Sequence, residues 1–195
     1  MLAETGRLKE IVALEVDDIQ HQRNLQITDL PNVHFRHGGA EAIPADDDSF
    51  DLVPMFKSLH HVPMEHMDTA LGEIARVLKP GGLAWISEPV FAGDLNEVFC
   101  LFHNEKIVRE AAFAAIGKAV DDGRLNLEKQ LFFNTRSFFE SFNQFDRRMI
   151  QVTHTSHRLA PELYQRVKEK FESYLTPEGA TFLNPQRVDL LRKAG

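Results

Sequence analysis

The chain has 195 residues, 43% of them hydrophobic, a formal net charge of -7 and a single cysteine, Cys100. That length and apolar content suit one domain with a sizeable core rather than two independent ones. The acidic balance draws in neither a phosphate backbone nor an anionic membrane, and one cysteine forms no intramolecular disulfide and no multi-cysteine zinc site. Neither nucleic acid nor membrane is therefore expected as a partner. The N-terminal MLAETGRLKEIVALEVDD lacks the basic-then-apolar pattern of a signal peptide, and no apolar run approaches the roughly 18 residues that span a bilayer, so a cytoplasmic location is expected.

In chain order, Ile11 to Val16 (IVALEV) reads as a buried strand, Asp17 to Gln26 as a polar helix, and Val33 to Arg36 as a second strand. Phe50 to Phe56 gives a third, with Pro54 expected near its end or in a bulge because proline cannot donate a ladder hydrogen bond. Met67, Ala70, Leu71, Ile74, Val77 and Leu78 fall on one stripe at helical spacing; Lys79-Pro80-Gly81-Gly82 ends that helix and Leu83 to Glu88 (LAWISE) forms the next strand. Alternation of this kind predicts β-α units and a mostly parallel sheet.

From residue 94 to 145 no strand pattern is evident. Ile107, Val108, Ala111, Ala112, Ala115, Ile116 and Ala119 make one helical face, and Phe132, Phe133, Phe138, Phe139, Phe142 and Phe145 crowd a second helical region. These aromatics either line a lid over a hydrophobic substrate or fill a core, and core is the commoner use of such spacing. Cys100 is expected to be reduced and buried beside Val98, Phe99 and Phe102. Arg147 to His157 alternates as a strand, Pro161 to Leu175 is an amphipathic helix with proline at its first turn, and Gln186 to Arg192 reads as a final strand.

Four segments in order, IVALEVDD, GGAEAIPADDDSFDLV, SLHHV and RVLKPGGLAWISEP, resemble the later motifs of the class I S-adenosylmethionine-dependent methyltransferases, in particular the ubiquinone and menaquinone biosynthesis branch. The resemblance covers residues 8 to 90. It implies a doubly wound, mostly parallel Rossmann-like α/β sheet, divided into a cofactor-binding half (1–90), a helical cap insertion (94–145) and a C-terminal strand-helix-strand (147–195). It also implies transfer of a methyl group from S-adenosyl-L-methionine to a small or hydrophobic acceptor, with a homo-oligomer as a further partner state.

Carried over residue by residue, the resemblance makes Glu15 the acceptor of the cofactor's ribose hydroxyls, because a carboxylate at a strand's carboxyl end faces the ligand crevice and can accept from both hydroxyls of a diol. Val16 follows it into the crevice. Ala40 and Glu41 occupy the adenine loop, where Gly39 stands in place of the usual aspartate and leaves only backbone recognition. Phe56 lies at the exit of the third strand. His60, His61 and Glu88 are the candidate catalytic groups, an imidazole being the natural base at neutral pH. No metal is expected, because adjacent histidines should diverge and no third ligand stands at a recognisable spacing. The family's opening strand and glycine-rich loop have no counterpart before IVALEV. The reading is therefore of a missing first strand and a truncated N-terminus, with weak cofactor binding by the chain as it stands. Its alternative is a non-catalytic, methyltransferase-like interaction or oligomer-forming protein.

Overall fold

A computed structural model describes residues 7–151 and 158–194. Strand β1 (Ile11–Glu15) leads into α1 (Asp18–Asn24), whose first turn is closed by the Asp17 side chain accepting from the Gln20 amide at 2.7 Å. Strand β2 (Val33–His37) then pairs in parallel with β1, Glu15 opposite His37. Next come β3 (Phe50–Phe56), α2 (Met67–Val77) and β4 (Leu78–Pro89), with β3 parallel to β4. Helices α3 (Asp94–Phe99) and α4 (Lys106–Asp121) precede β5 (Leu125–Phe139). The chain closes through α5 (Phe142–Phe145), α6 (Pro161–Glu172) and β6 (Ala180–Lys193).

The strands form two sheets, β1-β2 and β3-β4-β6-β5. Among the described residues the ladder is interrupted between β1 and β3, where the resemblance places a further strand. The architecture is α/β as expected, but the sheet is mixed, since β6 runs antiparallel to both β4 and β5. Pro54 stands within β3 opposite Trp85 rather than at its end, and the ladder irregularity lies between Phe50 and Leu52. An edge strand tolerates proline because one side of it has no ladder partner to receive the missing N–H.

All six residues of the predicted α2 stripe, Met67, Ala70, Leu71, Ile74, Val77 and Leu78, are buried. Met67, Leu71, Ile74 and Leu78 among them meet Ala112, Ile116 and Ala119 of α4 over Met55, Ala84, Ile86 and Leu191 of the sheet. Successive side chains of a strand face opposite sides, so Leu191 and Phe182, of opposite parity on β6, serve different layers. Phe182 belongs to a second core with Val98, Phe139, Phe142, Phe145, Val167 and Phe171.

The expected helical cap is corrected by β5. Residues 125–139 are a strand paired with β6 along its length, so Phe132, Phe133, Phe138 and Phe139 lie on a sheet and not on a helix. Apolar pairs such as Phe132-Phe133 and Phe138-Phe139 place one ring on each face, which reads as helical clustering when only spacing is considered. Helix α4 packs on α2 as part of the sheet's own helical layer. Of the strand expected over Arg147 to His157, residues 147–150 instead belong to a π-helical turn (Asp146–Ile150), Gln151 is a bend, and residues 152–157 lie outside the described residues. Cys100 is half-buried rather than buried.

Candidate active site

Parallel strands present their carboxyl ends to one side, and at that end stand Glu15 on β1, Phe56 on β3 and Glu88 on β4. Glu15 ends β1, and its Oε1 accepts from the Asp17 amide at 2.9 Å, leaving Oε2 for a ligand hydroxyl. Its carbonyl accepts from Gly38 at 3.1 Å, so the loop that follows β2 starts against Glu15. Gly38 has φ 155°, a value favouring glycine, and a Cβ at Gly39 would come within 2.3 Å of the Glu41 carboxylate. The Glu41 side chain therefore folds back over the Gly39 backbone, occupying the place a side chain at 39 would take. The chemistry of this arrangement, a carboxylate with one oxygen outside the Asp17 bond beside a loop that turns back at Gly38, fits a ribose diol. Val16 and Phe56 are exposed at the same strand ends, 64% and 57%.

Loop 38–47 is tied to the second sheet. Ala40 and Ile43 pack against the core that contains Met55 and Leu59. The Ile43 amide donates to Glu73 Oε2 at 2.9 Å, while Arg76 donates to the carbonyls of Ile43 and Ala45 at 3.0 and 2.8 Å. The Arg76 hydrogen bond, helped by the Ile43 amide and opposed by desolvation, holds the Glu73 carboxyl below its ordinary 4.5. A folded-state value below the unfolded one means this stabilisation is complete above about pH 4.5 and is lost as the pH falls through the lower folded value. Urea midpoints measured against pH are expected to fall more steeply in the wild type than in Glu73→Gln below that point; parallel curves would contradict the assignment.

On the second sheet, the chain leaves β3 through Lys57, which adopts φ 55° and donates its amide to the Ser87 carbonyl at 2.7 Å. A 3₁₀ turn, Leu59–His61, follows and sets both histidines at the end of β4. Glu88 is 2% exposed; it accepts from the Leu59 amide at 2.9 Å and, through its other oxygen, from His60 Nδ1. His60 is buried and His61 exposed, yet their rings lie 4.1 Å apart. The expectation that neighbouring histidines diverge fails here because a 3₁₀ turn, unlike a strand, keeps successive side chains on nearby bearings. Desolvation foremost, then the adjacent His60, hold His61 below the ordinary imidazole value of 6.5.

Three further groups complete the cluster, and sequence reasoning missed them. Glu105, at the start of α4, places Oε1 3.9 Å from His60 Nε2 and 3.1 Å from His103 Nε2, and Arg109 donates to its Oε2. Desolvation opposes ionisation of Glu105, but Arg109 outweighs it and the pKa is lowered. No spacing in His103-Asn104-Glu105 marks these residues; only the packing of α4 on α2 brings them to the histidines.

Residues 1–86 match the family described as "Methyltransferase domain". The chain is 33% identical over 82 residues to the ubiquinone/menaquinone biosynthesis C-methyltransferase UbiE of Brucella canis, covering 40% of this chain and 30% of that protein. It is 45% identical over 53 residues to the phthiotriol/phenolphthiotriol dimycocerosates methyltransferase of Mycobacterium tuberculosis, covering 27% and 19%. Thus the match spans less than a third of these curated relatives. Among solved structures, YcgJ of Bacillus subtilis superposes with TM-score 0.65 at 17% identity over 100% of this chain and 86% of that one. A SAM-dependent methyltransferase of Methanosarcina mazei does so with TM-score 0.58 at 15% identity over 99% and 85%.

Proposed function

We propose that the chain is a class I S-adenosylmethionine-dependent methyltransferase that moves the cofactor's methyl group to a small acceptor bound at the His60-His61-Glu88 cluster, a reading supported by the methyltransferase match over residues 1–86. The observation that supports this reading is the loop 38–47. Its first residue is bonded to Glu15 at the end of β1 and its later residues to α2, which packs on the sheet whose β4 carries the buried Glu88-His60 pair. When bound, S-adenosylmethionine supplies an activated methyl on a sulfonium leaving group. Alignment of the acceptor with that methyl contributes most of what the protein must add.

Each residue then has a role that follows from its place. Glu15 holds the ribose through Oε2, and Ala40 offers its backbone N–H to the adenine. Glu41 lies over Gly39 and borders the ring's site. Val16 and Phe56 present apolar surface beside it. Glu88 fixes the ring of His60, and exposed His61, kept neutral by its surroundings, accepts the proton of an oxygen or nitrogen nucleophile. A hydrophobic acceptor has no support: the buried phenylalanines fill the second core, and none belongs to the core against which Ala40 packs.

Calorimetric titration with S-adenosylhomocysteine tests the cofactor half. Gly39 contributes no side-chain acceptor, so the expected affinity is weak, about millimolar. Glu15→Ala is expected to weaken it by about tenfold, the loss of one hydrogen bond to a charged group. Equal affinity for the two proteins would remove Glu15 from the site.

A further inference from the structure

We infer that His60, His61 and Glu105 form a binding site for one divalent transition-metal ion. One ligand atom from each of the three residues lies within 4.8 Å of the others. Zinc sits about 2.0–2.2 Å from imidazole nitrogen and carboxylate oxygen, so its ligands stand a little over 3 Å apart. His60 and Glu105 are already 3.9 Å apart, and the remaining closure falls to His61, an exposed residue whose ring lies 4.1 Å from that of His60. Two imidazoles and one carboxylate suit zinc and its first-row neighbours better than calcium or magnesium, which prefer all-oxygen sites.

The polar groups around the three residues prepare them for this. Glu88 accepts a hydrogen bond from His60 Nδ1–H, and in that tautomer Nε2 is an acceptor. Across 3.9 Å it faces Glu105 Oε1, a second acceptor, so the gap between them favours a cation. A buried carboxylate on the far nitrogen of a histidine is the usual device for aiming the near nitrogen at a metal. Arg109 plays the corresponding part for Glu105: it occupies Oε2 and leaves Oε1 turned toward the histidines. His103 Nε2, 3.1 Å from Oε1, stands at the rim as a third nitrogen. Three protein ligands with an open position describe a site that can polarise a bound group rather than only hold structure.

The inference deepens the proposed function, resting on it for the use of the site but not for its existence. With metal present, His61 would be a ligand instead of a proton acceptor, and an acceptor's hydroxyl bound at the open position would give its proton to solvent water more readily. The substrate class would then be a small molecule with an ionisable hydroxyl beside the methylated position.

Metal binding is measured with Zn2+ alone, on metal-stripped whole chain, by equilibrium dialysis and elemental analysis, without cofactor or acceptor. One Zn2+ per chain is expected. Glu88→Gln, which removes only the charge that orients His60, should weaken it roughly 10–100-fold, and His61→Ala, which removes a ligand from an exposed position, should weaken it at least as much. His66→Ala, a neighbouring histidine outside the group, serves as the control and should bind as the wild type. Failure of the wild type to take up Zn2+, or equal affinity in His61→Ala and His66→Ala, would overturn the inference. Because no cofactor is present, that failure would leave the methyltransferase reading standing, and failure to bind S-adenosylhomocysteine would leave the metal site standing.

Discussion

Phe145→Ala is expected to destabilise the protein by about 3–5 kcal/mol, whereas Phe132→Ala should change stability by no more than about 0.5 kcal/mol. The contrast comes from position alone. Phe145 is fully buried, with ring centroids of Phe171, Phe139 and Phe142 at 4.8, 5.4 and 5.9 Å. Truncation there opens a cavity lined by rings that cannot collapse into it without losing their edge-to-face contacts. Phe132 is 66% exposed on β5 and has little contact to lose. For a domain of this size the buried change corresponds to a fall in melting temperature of about 6–20 °C. Urea unfolding followed by far-ultraviolet circular dichroism reads both variants. Comparable losses would mean that the second core is not organised around these rings.

The second large effect is expected at Glu88. Glu88→Ala removes a buried carboxylate and leaves both the Leu59 amide and His60 Nδ1 without their acceptor. Breaking a buried pair from one side costs about 3–5 kcal/mol, because the remaining partner is stranded in low dielectric. Glu88→Gln keeps an oxygen for the Leu59 amide and separates structure from chemistry. It should stay folded, bind S-adenosylhomocysteine within about twofold of the wild type, and lose about 100-fold or more in kcat, the low end of what a misplaced acid-base group costs. A Gln variant as active as the wild type would reduce Glu88 to a buried fastener of the 3₁₀ turn.

Much of this was legible in the sequence because some elements answer to a single cause. The α2 stripe has one apolar face and one neighbour, so its burial follows from spacing, and all six residues came out buried. Glu15 and Glu88 end apolar runs, and the end of a parallel strand is a defined place. By contrast β5 mixes exposed Lys129 and Arg136 with aromatic pairs, so neither strand alternation nor a clean helical stripe is present to be read. Its pairing with β6 is a long-range choice that local periodicity does not record. The same holds for the site: His60, His61 and Glu88 stand in recognisable motifs. Glu105, His103 and Arg109 join them only because α4 packs on α2, a contact between segments with no shared spacing. The adjacent histidines converge for a local reason, a 3₁₀ turn that residue spacing does not announce.

The central claim is that Glu15, the loop at Ala40 and the His60-Glu88 pair belong to one site at the carboxyl ends of the strands. A crystal structure with S-adenosylhomocysteine soaked in at several millimolar tests it directly. The account predicts ribose hydroxyls on Glu15 Oε2, adenine against the backbone of Ala40, and the sulfur turned toward the turn that carries His60 and His61. Ligand density elsewhere on the protein, or a ribose that bypasses Glu15, would contradict it.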